Sequence, residues 1–326
     1  MRERDSSFIK KNLRHNFTHA HSLLLSLNLI GRRCMCSSGR AIHNHHSFLS
    51  FSLPLRCSRR HRRRSVRFCS AFKKKSFLLT TTNMSSTKTL LTFDVDGTLI
   101  KSVGENANRF HKNAFSYGFK KIFGLDTTID VVSHHGSTDK LIIRSVLAYH
   151  EIPGEKIENE LENVANAMVE YATENMHDAG NGIELLPGVL ELLTKLSERD
   201  DCIVTLVTGN LQPIAWAKMT QLGIKQYFND AVRGGFGSDH EQRSVLVSIA
   251  HERATENGFK VDKRFHFGDT HNDITAAETS GAIPVGLATG IWSLDDLREV
   301  CVDKEKGLFF ESLQDTDQVL KALELL

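Results

Sequence analysis

A chain of 326 residues, 40% hydrophobic and 25% charged, has the make-up of an ordinary soluble globular protein with room for one or two domains. The net charge of +2 hides two opposed parts: residues 1–88 hold 19 Lys and Arg against only Glu3 and Asp5, while the remainder holds 22 against 37 acidic residues. The acidic balance of the larger part gives no reason to expect a nucleic-acid partner for it, and with Cys34, Cys36, Cys57 and Cys69 all in the basic part, Cys202 and Cys301 alone cannot make a disulfide framework.

Residues 1–84 are rich in Arg, Ser, His and Phe, nearly free of acid, and show no sustained helical or strand periodicity. They read as a transit peptide for chloroplast import, with the mitochondrion as the alternative, and Met84 in TTNMSSTKTLL marks roughly where the compact protein begins. The longest apolar run, Leu23 to Ile30, is interrupted by Ser26 and Asn28 and is too short to span a bilayer. A secretory signal suits the basic run Arg56 to Arg67 poorly. A phosphate-binding tail is a third reading, because SRRHRRR at 58–64 would attract nucleic-acid backbones. The HNHH cluster at 43–46 could bind a metal only if a core held its ligands.

From Thr89 onward, β-type runs alternate with helical stretches. TLLTF at 89–93, CIVTLV at 202–207, DAVRGG at 230–235, RFHFG at 264–268 and IPVGLA at 283–288 are the expected strands. Where Val, Ile, Leu and Phe occupy both parities, the strand is buried on both faces, as in a parallel sheet covered by helices. The fold class is therefore α/β, a doubly wound parallel sheet. Roughly a hundred residues separate the first two strands, far more than one crossover needs. Within them Ile157, Leu161, Val164, Met168 and Tyr171 form one helical stripe. The spacing predicts a helical domain over 104–182, inserted into a core made of residues 85–103 and 183–326. LLPGVLELLTKL at 185–196 returns the chain to the sheet, with Pro187 expected in the first turn of its helix. No internal repeat and no membrane span is expected after the leader.

In an open parallel sheet, the loops at the carboxyl ends of the strands line one crevice. Asp94 and Asp96 end the first strand, Thr208, Gly209 and Asn210 end the second, and Asp269, Thr270 and Asp273 follow RFHFG. If these strands are neighbours, four carboxylates and a hydroxyl converge. Such buried charge is costly unless a cation meets it, and an all-oxygen donor set of this kind suits Mg²⁺.

DVDGT at 94–98, the strand ending in Thr208 and GDTHND at 268–273 resemble, in order and spacing, three of the four signature motifs of the haloacid dehalogenase-like hydrolase superfamily. The insert resembles that superfamily's helical cap, and LLPGV resembles the segment joining cap to core in its phosphoglycolate phosphatase-like branch. The likeness covers 89–326. It implies a phosphomonoester hydrolase in which Asp94 attacks phosphorus, Asp96 gives and takes the proton, and Thr208 binds a phosphoryl oxygen, helped by the amides of a helix at 212–222. Gly97 would let the backbone turn beside the phosphate, with Gly209 and Asn210 nearby. Mg²⁺ would be held by Asp94, the backbone carbonyl of Asp96 and Asp269, with Asp273 acting directly or through water. An aspartate at position 96 separates phosphate-ester chemistry, which needs a proton for the leaving alkoxide, from dehalogenation, which does not.

The third motif departs from the pattern. The superfamily's usual lysine is missing from GGFGSDHEQRSVLV at 234–247, where Arg243 stands nearest the expected place, with Lys218 and His240 as the alternatives. In HHGSTDK at 134–140, His135 or Lys140 would meet a second polar group of a small phosphorylated metabolite; alternatively Ser137 or Thr138 merely caps the helix that follows. A phosphomutase of the same superfamily and a non-catalytic phospho-metabolite binder remain alternatives to the phosphatase.

Overall fold

The computed structural model describes residues 87–326; the expected leader at 1–84, its Met84 boundary and the histidine cluster at 43–46 lie outside the described residues. In chain order the elements are β1 (Lys88–Phe93), β2 (Ile100–Ser102), α1 (Arg109–Phe123), α2 (Asp139–Tyr149), α3 (Gly154–Glu174), β3 (Ile183–Leu185), α4 (Val189–Ser197), β4 (Cys202–Thr208), α5 (Gln212–Gln221), β5 (Gly235–Phe236), α6 (Arg243–Glu256), β6 (Val261–Gly268), α7 (His271–Thr279), β7 (Ile283–Leu287), α8 (Leu294–Val300), β8 (Leu308–Phe310) and α9 (Thr316–Ala322).

Six strands form one parallel sheet in the order β5-β4-β1-β6-β7-β8. The chain builds outward from β1 to one side, then returns to β1's other flank and builds the opposite way. That reversal puts the switch point at β1, where a crevice opens beyond the strand ends. Phe93 pairs in register with Leu206 on one side and Phe267 on the other, and the Phe93 and Phe267 rings stack at 4.2 Å. Asp94, Thr208 and Asp269 therefore emerge side by side. The last four residues of β1 and six of the seven in β4 are buried, as runs with no polar parity require.

One strand expectation and one helix expectation need correction. DAVRGG does not form a strand over 230–235; only Gly235 and Phe236 pair, with Val207 and Thr208. The Asn229 carboxamide oxygen accepts the amides of Ala231 and Val232, taking the donors a ladder would need. Pro187 lies outside the helix it was expected to begin, because Gly188 at φ 83° is the N-cap and α4 starts at Val189.

A short antiparallel pair, β2 with β3, carries the chain out to α1–α3 and back. The α3 stripe behaves as its spacing requires: Ile157, Leu161, Val164 and Met168 are buried and Tyr171 is half-buried. Each fully buried aliphatic side chain contributes about 1.5–3 kcal/mol. These side chains share a cluster with Phe110, Phe115 and Phe119 of α1. Leu211, Ile214 and Ala217 of the α5 region join the same cluster, so the helical layer is seated on the sheet domain through an apolar seam.

Candidate active site

A cavity of about 580 Å³ opens between the sheet's carboxyl edge and the helical layer. Asp94, Asp96, Gly97, Asn210, Arg243 and Asp269 line its floor, and His111, His134 and His135 face them from above. Asp94 continues β1 and is 4% exposed, its amide still donating to the Phe267 carbonyl. The chain then folds into one tight turn, with the amides of Leu99 and Ile100 donating to the Val95 carbonyl. Gly97 sits there at φ 90°, and a Cβ on it would overlap the Asp269 carboxylate. Only glycine fits both the backbone and the space.

Carboxylate oxygens of Asp94, Asp269 and Asp273 lie within 4.8 Å of one another. Arg243, the first residue of α6 and 8% exposed, places Nη1 2.8 Å from Asp94 Oδ1 and 2.8 Å from Asp273 Oδ1. The N–H directions favour neither oxygen, so Asp94 Oδ1 is buried beside a charge without a directed hydrogen bond. Asp273 is saturated: its carboxylate accepts the amide and hydroxyl of Thr270, closing a capping box at the start of α7, and Oδ1 faces His266 Nε2 at 3.3 Å. His266 in turn lies 3.1 Å from the Thr92 hydroxyl.

Burial pushes the Asp94 carboxyl above its ordinary range; Arg243 opposes this in part, while Asp273 and Asp96 add to it. Burial also raises Asp269, with Asp273 and Asp94 adding to it, up to about 8. For Asp273 burial acts upward too, but Arg243 and His266 outweigh it and hold the group at about 2. Burial works against the Arg243 charge, and Asp273 and Asp94 more than compensate, so its pKa is raised further. Three carboxyl groups thus crowd one guanidinium, too little positive charge to keep Asp94 and Asp269 readily ionised, an arrangement that another cation would relieve. The orphaned Asp94 oxygen and the hard oxygen donors fit Mg²⁺.

Asp96 points away from this cluster. Its Oδ1 accepts from Asn108 Nδ2 at 3.1 Å and Lys218 Nζ at 2.9 Å, and its Oδ2 from Asn210 Nδ2 at 3.0 Å and Lys218 Nζ at 2.8 Å. Burial acts to raise its pKa, but the Lys218 charge and the hydrogen bonds from Lys218 and Asn210 prevail and the group is lowered. About a third of its side chain stays exposed to the cavity.

The structure brings Asp94, Asp96, Gly97, Asn210, Arg243, Asp269 and His135 to one cavity. Thr208 lies fully buried just behind it, its hydroxyl accepting the Asn210 amide. Lys140 does not line the cavity, contrary to expectation. Its Nζ is 2.5 Å from Glu162 and 3.5 Å from the Ser238 carbonyl, because its place in the first turn of α2 turns it toward α3. Gly209 meets the helical layer rather than the cavity, its carbonyl accepting the Asp139 amide at 2.8 Å. The first amides of the helix at 212–222 are not open for a phosphate: Leu211 N donates to Asp139 Oδ2 and Gln212 N to the Ser238 hydroxyl. Thr138 is the N-cap of α2 by position only, since its hydroxyl donates instead to the Glu241 carbonyl. Of the alternatives to Arg243, Lys218 pairs with Asp96, and His240 accepts the Gln242 amide locally.

Sequence reasoning missed Asn108, His111 and His266, and it reached Asp139 only as a member of HHGSTDK, without a role. Only His111 carries a trace in the sequence, a histidine within the otherwise apolar buried face of α1 formed by Phe110, Ala114, Phe115 and Phe119.

The sequence profile of the haloacid dehalogenase-like hydrolases matches residues 91–286. Phosphoglycolate phosphatase of Aliivibrio fischeri is 23% identical over 203 residues, covering 62% of this chain and 84% of that protein. The enzyme of the same name from Vibrio parahaemolyticus is 25% identical over 201 residues, with 62% and 84% covered. Among solved structures, a predicted phosphatase from Clostridium acetobutylicum superposes with a TM-score of 0.50 at 16% identity, covering 74% of this chain and 100% of that one, a likeness of fold. With the profile spanning most of the sheet, the inserted helices and the acidic strand ends alike, the chain belongs to the haloacid dehalogenase-like hydrolase family.

Proposed function

We propose that the protein hydrolyses a small phosphomonoester through an aspartyl-phosphate on Asp94. The observation that carries this reading is the pairing of two differently held carboxylates at one strand end: Asp94 buried against Arg243, and Asp96 turned aside onto Lys218. One suits a nucleophile and the other a proton carrier, because environment sets their separate tasks.

In the first step Asp94 attacks phosphorus; the Asp94 O–P bond forms, the ester P–O bond breaks, and Asp96 gives its proton to the leaving oxygen. An arriving phosphoryl dianion opposes the lowered pKa of Asp96 and favours its protonated form. In the second step Asp96 takes a proton from water, whose oxygen attacks phosphorus and frees Asp94 and inorganic phosphate. Arg243 neutralises the nucleophile and the phosphoryl oxygens throughout, and the Thr208 hydroxyl donates to a phosphoryl oxygen. Mg²⁺ held by Asp94, the Asp96 carbonyl and Asp269, with Asp273 behind them, would supply further neutralisation of the phosphoryl charge. His135, with His134 beside it, contacts the rest of the substrate from the helical cap over 104–182, while the core comprises 85–103 and 183–326. Arg243 beside Asp94 weighs against a non-catalytic binder, since it can supply the charge expected of the third motif.

The leader reading stands with this one: an acid-poor, Arg- and Ser-rich segment directs the protein to the chloroplast, the mitochondrion being the alternative. Among the described residues no helix is long and apolar enough to cross a membrane. A fluorescent protein fused behind residues 1–88 should collect in one organelle, and diffuse cytosolic signal would reject the import reading.

The test of function is phosphate release from a panel of small phosphomonoesters, phosphoglycolate and sugar phosphates included, with and without Mg²⁺ and beside Asp94→Asn. Mg²⁺-dependent turnover abolished in Asp94→Asn is expected. Isomerised sugar phosphate with little free phosphate would instead identify a phosphomutase.

A further inference from the structure

Lys218 is completely buried, an unusual state for a lysine and one that requires every N–H to be met. Its ammonium has three protons, and three acceptor groups surround it: the Asp96 carboxylate, Asn210 Oδ1 at 2.9 Å and His111 Nδ1 at 3.2 Å. An ammonium only donates, so His111 Nδ1 must accept and the proton of the neutral ring sits on Nε2. That Nε2 donates to Asp139 Oδ2 at 3.1 Å, and the same oxygen accepts the Leu211 amide at 2.8 Å. Asp139 is 1% exposed and His111 5%.

These residues come from both sides of the cavity. Asp96, Asn210 and Lys218 belong to the sheet domain; His111 lies in the first turn of α1 and Asp139 opens α2. Asn108, just before α1, adds its own bond to Asp96. We propose that Lys218 and His111 are positioning residues, buried side chains that tie the Asp96 carboxylate to Asp139 of the helical cap, so that seating of the cap sets the proton-transfer group in place. The proposal rests on the phosphatase reading, in which Asp96 moves the proton. Without α1 and α2 in place, Lys218 loses one of three acceptors and Asp96 loses Asn108. The four hydrogen bonds that now fix the carboxylate then fall to three, with their lysine anchor incomplete. Cap seating and acid-base geometry become one event, which limits proton transfer to the closed cavity.

The leaving group supplies the test. An alkoxide needs the Asp96 proton and a p-nitrophenolate does not, so kcat/KM, which reports steps through ester cleavage, is compared for glycerol phosphate and p-nitrophenyl phosphate. Lys218→Met should lower the glycerol phosphate value by about a hundredfold or more and the p-nitrophenyl value by less than about tenfold. Equal losses on both esters would mean a merely structural lysine and overturn the proposal. His111→Asn, which keeps an acceptor near the Nδ1 position, should restore most of the ester ratio lost in His111→Leu; identical ratios in the two variants also count against it. Amide hydrogen exchange provides an arm independent of turnover. The Asp139 and Leu211 amides should exchange faster in Lys218→Met than in the wild type, and unchanged exchange rejects the tie. A wild type that releases phosphate from neither ester nor from any member of the wider panel removes the phosphatase reading and the catalytic purpose of the tie together, whereas the exchange result still decides whether the tie exists.

Discussion

Arg243 Nη1 stands 2.8 Å from Asp94 Oδ1 at the carboxyl end of the central strand, both groups almost wholly buried. The same guanidinium nitrogen reaches Asp273 Oδ1 at the same distance. One planar cation bridges two anions that would otherwise repel across a low-dielectric site. Arg243→Ala should lower kcat for phosphate release by about 10²–10³, the range seen when one preorganised donor is removed. Arg243→Lys should fall about tenfold, because a point charge serves one carboxylate well and the second poorly. Steady-state kinetics at saturating Mg²⁺ decides, and wild-type turnover in Arg243→Ala would reject the assignment.

Asp94→Asn should abolish turnover and, measured without a divalent cation, raise the melting temperature by about 2–4 °C. The direction follows from the raised pKa of Asp94, since burial and two like charges disfavour its ionised form more than Arg243 favours it. A neutral isostere relieves that penalty. Differential scanning calorimetry in the presence of a chelator measures it, and a lowered melting temperature would show that the Arg243 contact dominates.

Asp269 makes the site sensitive to pH. In the cation-free protein its carboxyl is pushed up to about 8, against an ordinary value of 3.8. The folded state thus favours the protonated form: the contribution to stability is full below pH 3.8 and is lost as pH rises through about 8. Asp273 acts in the opposite sense and in another window, since a group held at about 2 stabilises above pH 3.8 and loses that effect as pH falls through about 2. Mg²⁺ must displace the Asp269 proton, so apparent affinity should rise by up to about tenfold per pH unit between about pH 6 and 8, and binding at pH 7 should release about one proton per ion. Calorimetric titration in buffers of different ionisation enthalpy reads that proton directly; a buffer-independent heat would contradict the prediction.

Gly209 sits where the sheet domain meets the cap. A Cβ there would lie 2.6 Å from the Ser137 carbonyl oxygen and 2.8 Å from Thr138 Cα, both backbone atoms of the cap loop. Gly209→Ala should leave the melting temperature within about 3 °C of wild type while raising KM about tenfold or more, because the cap cannot seat fully. Unchanged KM would show that the loop yields without consequence.

His135 and Lys140 separate by the same logic. His135 lines the cavity, whereas Lys140 is engaged by Glu162 and the Ser238 carbonyl. His135→Ala should raise KM by about fivefold to tenfold, roughly the worth of one hydrogen bond. Lys140→Ala should change it by less than about twofold. Michaelis constants for the best substrate of the panel distinguish them, and a larger effect from Lys140 would reverse the assignment.

The sequence by itself determined the sheet class, the helical insert and the strand-end acids. Asp94, Asp96, Thr208 and Asp269 are legible because apolar runs on both parities can only be buried strands, and polar residues straight after such runs must emerge at one edge of a parallel sheet. The α3 stripe is legible for an equally local reason, the 3.6-residue period. Tertiary structure alone decided the rest. That Arg243 faces Asp94 while Lys218 faces Asp96 depends on where α6 and α5 begin against the sheet, which no local pattern encodes. Asp96, Lys218, His111 and Asp139 lie in four separate stretches of chain and meet only after the cap docks. Local periodicity reports which face of an element is buried, whereas the partner of a buried charge is chosen by packing between elements far apart in sequence.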